Sequence, residues 1–244
     1  MENALLLSLS NQMVTRRTMD VIANNIANMN TSGFKAERQM FAQFLLPKDG
    51  SVTANDRIAM VSDFGTYHDT SGGPIQNTGN PLDIALSGEG YLSVQGPSGV
   101  LYTRTGSMTI ANDGTLSDHA GHPILDESGS PILIQQDDKA ITISEDGIVS
   151  ASRGQIAKIG VFKFARPNFL APLGGGLFQA KDPAQVDPDT KIRQGSLEGS
   201  NVQPITEMTQ MIDVQRSYET VSALLQAQTS DEKDMIIKLS NTTA

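Results

Sequence analysis

Few residues in this sequence combine the types and the spacing that catalysis or metal binding requires. The nearest candidate is the pair His119 and His122, preceded by Asp118, because imidazoles at this spacing on a helix can share one ion. Gly121 and Pro123 favour a turn at this point instead. We therefore interpret these histidines as exposed turn residues and predict no bound metal.

Glycine-rich stretches also lack the partners that phosphate or acyl chemistry needs. The stretches at 88–90 and 174–176 have no following helix signal and no Lys-Ser or Lys-Thr pair, so neither predicts a nucleotide-binding loop. The stretch at 96–99 misses the spacing of a hydrolase nucleophile. Because the 244 residues include no cysteine, disulfides, cysteine nucleophiles and thiolate metal sites are excluded. The sequence predicts a protein that is not an enzyme and takes no cofactor.

The overall charge limits the possible partners. The chain carries 27 acidic and 18 basic side chains, a net charge of −9, which disfavours nucleic acid and anionic membrane surfaces. No stretch approaches the ~18–20 apolar residues that cross a bilayer, so we expect no membrane insertion. The first charge is Glu2, and Arg16 and Arg17 follow the short apolar patch at 4–7. A secretory leader has the reverse order, so we expect any export to proceed without a cleaved signal peptide.

The distribution of glycine and proline indicates where helices lie. All 22 glycines fall between Gly33 and Gly199, and all 11 prolines fall between Pro47 and Pro204. These residues disfavour helix interiors by ~1 and ~3 kcal/mol. The first 32 and the last 40 residues therefore favour helix, whereas the middle of the chain does not.

Each end of the chain also carries an apolar stripe at helical spacing. The N-terminal stripe consists of Leu5, Leu9, Met19, Ala23 and Ile26. It predicts an amphipathic helix that ends between Asn28 and Gly33, where residues tolerant of left-handed backbone cluster. The C-terminal stripe repeats at intervals of four and three through Val214, Tyr218, Val221, Leu225, Gln228, Glu232, Met235 and Leu239. This spacing predicts the seam of a coiled coil.

The two stripes leave two interpretations open. Both helices could cover the β domain of their own chain, or they could pair with each other and with copies or relatives in an assembly. Ordering ~35 residues costs as much as, or more than, the six apolar seam residues of the C-terminal helix gain on burial. That helix therefore needs a partner surface, either within the chain or between chains.

Period-two apolar patterns and tight turns fill the middle of the chain. Runs at 82–86, 91–94 and 156–162 predict strands. The stretches 109–117 and 142–150 match each other at a separation of 33 residues, and each places Asp-Gly between two short runs, the pattern of a β-hairpin. We predict neighbouring hairpins in one β domain.

These patterns predict an α+β fold, in which N- and C-terminal amphipathic helices pair as a coiled coil and a mostly antiparallel β domain lies between them. The predicted parts are an N-terminal helix at 1–32, an extended connector at 33–79, the β domain at 80–185, a second connector at 186–203 and a C-terminal coiled-coil helix at 204–244. The first connector is assigned from mixed signals, because residues 40–46 favour extended packing and residues 50–55 have the composition of an exposed loop.

Three ordered groups of motifs resemble those of the bacterial flagellar rod and hook protein family. The first is 23–35 (ANNIANMNTSGFK), the second comprises 78–85, 88–91 and 102–107, and the third comprises 198–202 (EGSNV) and 211–219 (MIDVQRSYE). The groups are in register at both ends and in the middle, so the resemblance covers nearly the whole chain. The opening residues 1–4 and the modest length are most similar to proximal rod members, with a distal rod or hook subunit as the alternative.

The resemblance implies a structural role. Members of this family are exported unfolded, without cleavage, through the flagellar type III export apparatus. They assemble with copies of themselves and with other flagellar rod proteins into a hollow helical shaft that crosses the periplasm and transmits torque. Their terminal helices form the inner layer around the channel, and their β domains form the outer layer. Disulfides would hinder passage through a narrow conduit, and this chain has no cysteine.

The resemblance also assigns roles to particular residues. Helix packing within and between subunits is assigned to Leu5, Leu9, Met19, Ile26, Val214, Tyr218, Val221 and Leu225. Two interpretations stay open for four asparagines, which either cap the helix end or bind the backbone of adjacent subunits: Asn24, Asn25, Asn28 and Asn30. Gly33 is expected to adopt a positive φ, and Phe34 is expected to be a buried anchor where the helix meets β structure.

Two other classes of protein share part of this pattern. An oligomeric β-rich binding module with coiled-coil ends would have the same composition but not the three groups of motifs. A carbohydrate-active enzyme would need a carboxylate pair in a cleft lined by aromatic side chains, and aromatic residues make up only 5% of this chain.

Overall fold

A helix lies at each end of the chain. The computed structural model describes residues 2–47, 57–97, 99–135, 138 and 140–242. Helix α1 is Glu2–Ala27 and helix α2 is Pro204–Thr242. Pro204 stands in the first turn of α2, where its missing N–H group costs nothing. The two predicted terminal helices are confirmed, and the absence of glycine and proline from their interiors is the physical reason.

The chain divides into two compact units. The helical unit contains α1 up to Ile26, the segment Glu37–Tyr67 and the chain from Pro204 onward. The β unit contains Ala27–Ala36 and His68–Gln203. Each unit is therefore built from segments that are far apart in sequence.

The helical unit contains strands where the sequence predicted a connector. Strands β1 (Glu37–Pro47) and β2 (Arg57–His68) pair as a two-stranded sheet. The predicted extended connector at 33–79 is therefore corrected to a pair of strands over much of its length. Consecutive apolar residues at 40–41 and 44–46 break the alternation that marks a half-buried strand. The partner strand was consequently not recognised.

Helices α1 and α2 run in opposite directions within the helical unit. The side chain of Asn25 near the end of α1 contacts Glu207 near the start of α2. Gln12 of α1 lines the same shallow cleft as Leu225 and Thr229 of α2. The helices are therefore neighbours, and their pairing as a coiled coil stays a prediction.

The β unit consists of short strands that pair antiparallel. Its strands are β3 (Ile75–Asn77), β4 (Ile84–Ser87), β5 (Tyr91–Gly96), β6 (Gly99–Thr103), β7 (Met108–Ile110), β8 (Leu116–Asp118), β9 (Thr142–Ile143), β10 (Ile148–Ala151), β11 (Gly154–Lys158), β12 (Val161–Lys163), β13 (Ala171–Gly174), β14 (Leu177–Gln179), β15 (Gln185–Val186), β16 (Lys191–Gln194) and β17 (Ser196–Glu198). A six-stranded sheet has the order β13-β14-β6-β5-β12-β15, and smaller sheets are β11-β10-β9, β16-β4, β17-β3 and β7-β8. A mostly antiparallel β domain between the helices is thereby confirmed.

Both hairpins predicted from the internal repeat are present. Strand β7 pairs antiparallel with β8, and β9 pairs antiparallel with β10. Gly114 and Gly147 take φ angles of 85° and 84° in the two turns, a conformation that favours glycine. Leu116 and Val149 from the two hairpins are fully buried in one hydrophobic core. The repeat therefore marks two hairpins of one β domain.

The β unit extends beyond the predicted boundaries at both ends. Residues 27–36 and 68–79 belong to it, and strands β15, β16 and β17 occupy much of the predicted connector at 186–203. These strands have two to four residues, and β16 buries only Ile192 among polar neighbours. A single inward apolar residue does not produce a recognisable period-two pattern, so the second connector is corrected to strands.

Two buried ion clusters and the candidate assembly surface

Three charged side chains meet in the interior of the β unit. Glu198 Oε1 lies 2.8 Å from Lys35 Nζ, and Glu198 Oε2 lies 2.8 Å from Arg104 Nη2 and 3.0 Å from Arg104 Nε. Each of the three side chains is only 2% exposed. We name this group the 35–104–198 cluster. One carboxylate there faces two cations and balances only one of the two positive charges, so the cluster carries a net charge of +1.

Backbone groups satisfy further hydrogen-bonding capacity of the cluster. Lys35 Nζ donates to the carbonyl of Ser71 at 2.7 Å, and the N–H of Gly73 donates to Glu198 Oε1 at 2.9 Å. Arg104 Nη1 donates to the carbonyls at positions 88 and 90. Such bonds are necessary because a buried ion pair offsets its desolvation only when its remaining groups are also bonded. Burial and the nearby Arg104 guanidinium lower the pKa of Lys35, while Glu198 opposes this shift.

Glycines permit the close approach of the backbone segments around this cluster. Gly33 has a φ of 68°, as expected from the sequence, and its N–H donates to the Glu198 carbonyl at 2.8 Å. A Cβ atom at Gly33 would lie 2.6 Å from the carbonyl carbon of Arg104. A Cβ atom at Gly73 would lie 2.0 Å from the carbonyl oxygen of Gly199. Both positions therefore require glycine.

Asn201 connects two further segments of the β unit. Its Oδ1 accepts the N–H of Ala36 at 2.7 Å. Its Nδ2 donates to the carbonyls of Asp69 and Ser71 at 2.9 and 3.1 Å. The stretch 198–201 thus contacts both 33–36 and 69–73.

A second buried polar group lies inside the helical unit. Asn25 and Glu207 are both 0% exposed, and Asn25 Nδ2 donates to Glu207 Oε2 at 3.3 Å. Arg38 Nη1 lies 2.8 Å from Glu207 Oε1. Asn25 also pairs with the backbone of Glu37, accepting its N–H at 2.8 Å and donating to its carbonyl at 2.9 Å. We name this group the 25–38–207 cluster, and it joins α1, β1 and the first turn of α2.

The asparagines predicted from the sequence have different environments. Asn25 is completely buried, and its amide bonds within its own chain. Asn28 Oδ1 accepts the Thr31 hydroxyl at 3.2 Å at the helix end, and Asn24 Nδ2 donates to Glu37 Oε2 at 3.2 Å. Asn30 is exposed. A subunit-binding role stays a prediction for all four asparagines.

Phe34 is half-buried, so its ring is less enclosed than a buried anchor would be. Its neighbours in the sequence are more deeply buried, since Lys35 is 2% exposed and Ala36 is 0% exposed. The hydrogen bonds at 35 and 36 therefore anchor this segment. An apolar anchor was predicted because phenylalanine is far more often buried than lysine.

The apolar residues predicted to pack between helices are partly exposed. Leu9 is 45% exposed, and the half-buried members are Met19, Ile26, Val214, Tyr218, Val221 and Leu225. The side chain of Leu5 lies outside the described residues, as do those at 228, 232, 235 and 239. The described residues of this set are therefore neither fully buried nor, apart from Leu9, exposed.

The charged residues of the two clusters, unlike Asn25, were not predicted from the sequence. Lys35, Arg104, Glu198 and Glu207 are charged, and charged residues are mostly exposed. Their one available signal was position, because Lys35 and Glu198 stand within two residues of glycines inside the recognised motifs. Without the fold, nothing indicated that they share one site.

The histidines adopt the predicted turn. Gly121 has a φ of 88°, and His122 Nδ1 lies 2.9 Å from Asp118 Oδ2. The exposed His119 contacts the Ser107 hydroxyl at 2.8 Å. Across the described ranges, no three histidine or acidic side chains converge in a way that could hold a metal ion. No described helix is both long enough and apolar enough to cross a bilayer.

The fold and the clusters together define a structural α+β protein whose distant segments are joined by buried polar groups. Three family models match the chain: Flagella basal body rod protein at residues 5–35, Flagellar hook protein FlgE/F/G D1 domain at 85–151, and Flagellar basal body rod FlgEFG protein C-terminal at 193–236. The 35–104–198 cluster takes one residue from each matched region.

Curated relatives match over almost the whole chain. The flagellar basal-body rod protein FlgF of Caulobacter vibrioides is 37% identical over 92% of this chain and 93% of its own length. FlgF of Mesorhizobium japonicum is 34% identical over 98% of both chains, and FlgG of Bacillus subtilis is 33% identical over 88% and 89%. The chain belongs to the flagellar basal-body rod protein family.

Proposed function

We propose that this rod protein is a structural subunit of the proximal rod of the flagellar basal body. It polymerises with copies of itself and with related axial proteins into a hollow helical shaft that transmits torque across the periplasm. Identities of 33–37% to FlgF relatives, against 30–33% to FlgG relatives, support the proximal position. The observation that carries assembly is a second, exposed apolar stripe on each terminal helix.

Helix α2 has two apolar faces. At 3.6 residues per turn, the half-buried residues 214, 218, 221 and 225 form one apolar face. Buried Glu207 lies in line with this face, at the start of the helix. A second group, Ile205, Met208 and Ile212, lies about 140° away around the axis by the same geometry. These three side chains are 83%, 46% and 51% exposed. The first face includes the contact with α1, and the second face contacts solvent.

Helix α1 has the same organisation. Val21, Ile22 and Asn25 are buried on one face. Leu9 and Met13, which are 45% and 67% exposed, lie about 150° away around the axis. Full burial of each exposed side chain would gain roughly 1–2 kcal/mol, since about half of its surface is still accessible. Several such residues for each subunit, repeated along a polymer, are a sufficient driving force for assembly.

The proposal includes export through the flagellar type III apparatus without cleavage of a leader. The resemblance of the motifs to this family supports the route. The absence of cysteine is consistent with it, because no disulfide has to form or break during passage.

Complementation with single variants tests the proposed assembly surface. A strain lacking this gene is supplied with Ile212→Asp, which places a charge in the exposed stripe of α2. We expect loss of swimming and loss of the subunit from sedimented basal bodies. The matched control is Leu133→Asp in the β unit, where Leu133 is also exposed, at 60%. Wild-type swimming with Ile212→Asp would contradict the proposal.

A further inference from the structure

The 35–104–198 cluster has an unusual charge balance. Two cations, each with a side chain 2% exposed, share a single carboxylate. Glu198, which supplies that carboxylate, lies 163 residues after Lys35 and 94 residues after Arg104 in the sequence. The carboxylate that contacts both cations therefore reaches them only when a distant part of the chain is in place.

We propose that this cluster is a conformational latch, in which Glu198 holds the segment 27–36 on the rest of the β unit. The latch is closed when strand β17 pairs with β3 and brings Glu198 between the two cations. It is open when β17 is not in place. This inference concerns the folding of the β unit and is independent of the proposed role in the rod.

Without Glu198, charge repulsion between Lys35 and Arg104 disfavours attachment of the segment 27–36. Lys35 and Arg104 would then be two buried like charges beside backbone carbonyls and the Tyr91 ring, which lies 5.6 Å from the Arg104 guanidinium carbon. Asp69 would be the acidic side chain that still attracts Lys35. Carbonyl dipoles do not neutralise a cation, and a charge left buried after its partner is removed is strongly unfavourable. Lys35 can respond by losing its proton or by leaving the site, and detachment of the segment is the response that returns its charged ammonium to water.

The stretch 198–201 also supplies much of the remaining attachment of this segment. The N–H of Gly33 donates to the carbonyl of Glu198 at 2.8 Å. The N–H of Ala36 donates to Asn201 Oδ1 at 2.7 Å. The carbonyls at 69 and 71 accept hydrogen bonds from Asn201 Nδ2, so this neighbouring stretch depends on Asn201 as well. Placement of β17 therefore provides the counter-charge and several backbone bonds together.

The latch determines the sequence in which parts of the β unit fold. The main hydrophobic core includes Leu92, Leu116 and Ile159, and among the described residues none of its members lies in 27–36. The core can form while this segment is detached. Closure then follows the arrival of 196–201, which makes attachment of the segment conditional on a nearly complete β unit.

Charge and hydrogen bonding predict different effects in a pair of variants. Glu198→Gln keeps the size of the side chain but raises the charge of the cluster from +1 to +2. Adding Lys35→Met returns the charge to +1 while removing another hydrogen-bonding group. If charge compensation closes the latch, the double variant is closed. If hydrogen bonding alone closes it, the double variant is more open than Glu198→Gln.

Hydrogen exchange measured by mass spectrometry on the purified full chain tests the latch. In Glu198→Gln we expect exchange in peptides covering 27–36 to rise by about tenfold or more, with peptides covering 108–118 unchanged. In Lys35→Met/Glu198→Gln we expect exchange to return to within about threefold of the wild type. The control Asp146→Asn removes an exposed ion pair with Lys191 and should match the wild type.

Two results would overturn the latch. One is exchange in the double variant that equals or exceeds that of Glu198→Gln. The other is wild-type exchange in Glu198→Gln itself. Should Glu198→Gln yield no folded protein, the latch requires the double variant to be recovered folded, and failure of both would also overturn it.

Discussion

Asn25 of α1 donates a hydrogen bond to Glu207 of α2 at 3.3 Å, and both residues are completely buried although 182 positions separate them. Arg38 compensates the Glu207 carboxylate, and Asn25 also pairs with the backbone at position 37. This contact joins the end of helix α1 to the start of helix α2 within the helical unit. The asparagine of the N-terminal motif therefore acts as a structural connector.

Replacing Asn25 with aspartate should strongly destabilise the helical unit. The change removes the amide donor and places a second carboxylate against Glu207 in a buried site. We expect a loss of about 3 kcal/mol or more in the free energy of unfolding, measured by urea titration with circular dichroism. Asn30→Asp, at an exposed position, should change it by less than ~0.5 kcal/mol. Equal stabilities for the two variants would contradict the role of Asn25.

Gly33→Ala should destabilise the β unit more than Gly79→Ala. Both glycines have similar positive φ angles, 68° and 72°, so the backbone strain is matched. Only Gly33 lacks space, since its added Cβ would meet Arg104 backbone at 2.6 Å, whereas nothing lies within 4 Å at Gly79. We expect losses of about 2–4 and about 1 kcal/mol in urea titrations. Similar losses would show that close approach at Gly33 is unimportant.

Asp187 should contribute to stability at neutral pH and lose that contribution in acid. Burial alone would raise the pKa of Asp187, but hydrogen bonds from the Thr190 hydroxyl and the Asp189 N–H, with Lys163 3.6 Å away, lower it overall. A lowered folded-state pKa stabilises the fold above the unfolded value of about 3.9, and this contribution disappears as pH falls through the folded value.

The variant Asp187→Asn tests this dependence. It should reduce the free energy of unfolding by about 1–3 kcal/mol at pH 7, and the difference from wild type should shrink as the pH falls through the folded-state pKa. Asp189→Asn is the control, because the Asp189 side chain is 85% exposed. A difference that stays constant from pH 7 into the acid range would contradict the assignment.

Val221→Asp should abolish motility while leaving the β unit folded. Val221 is half-buried on the face of α2 that includes Val214, Tyr218 and Leu225. A carboxylate there disfavours helix packing within and between subunits. Swimming assays measure the first effect, and hydrogen exchange in 108–118 measures the second. Thr220→Asp, at an exposed position that lies on neither apolar face of α2, should swim normally. Normal swimming of cells that carry Val221→Asp would contradict a role for this face in helix packing.

The terminal helices and the two hairpins could be predicted because their signals are local. Residues 205–244 lack glycine and proline and carry an apolar stripe at helical spacing, which together indicate a helix, and Asp113-Gly114 and Asp146-Gly147 indicate turns. The pair β1–β2 was missed because its strands have no regular alternation and a long segment separates them. Strands β15 to β17 were missed because they are only two to four residues long.

The clusters could not be predicted because burial of a charge depends on partners far away in sequence. Lys35 is buried only because Glu198 and Ser71 meet it in the fold. The motif containing Asn25 was recognised, but its role depends on Glu207, which no local pattern connects to it. Recognition of motifs therefore identified the family without identifying what the motif residues do.

Protection of a single introduced cysteine tests the proposed assembly surface most directly. The chain has no cysteine, so Ile212→Cys provides one reactive thiol on the exposed stripe of α2, and Leu133→Cys provides a matched thiol on the β unit. In purified monomer both should react readily with a bulky maleimide. In isolated basal bodies we predict that the thiol at position 212 is protected from the maleimide and forms cross-links to neighbouring rod subunits with a short bifunctional reagent. Full reactivity at 212 in assembled basal bodies, without cross-links, would contradict the proposal.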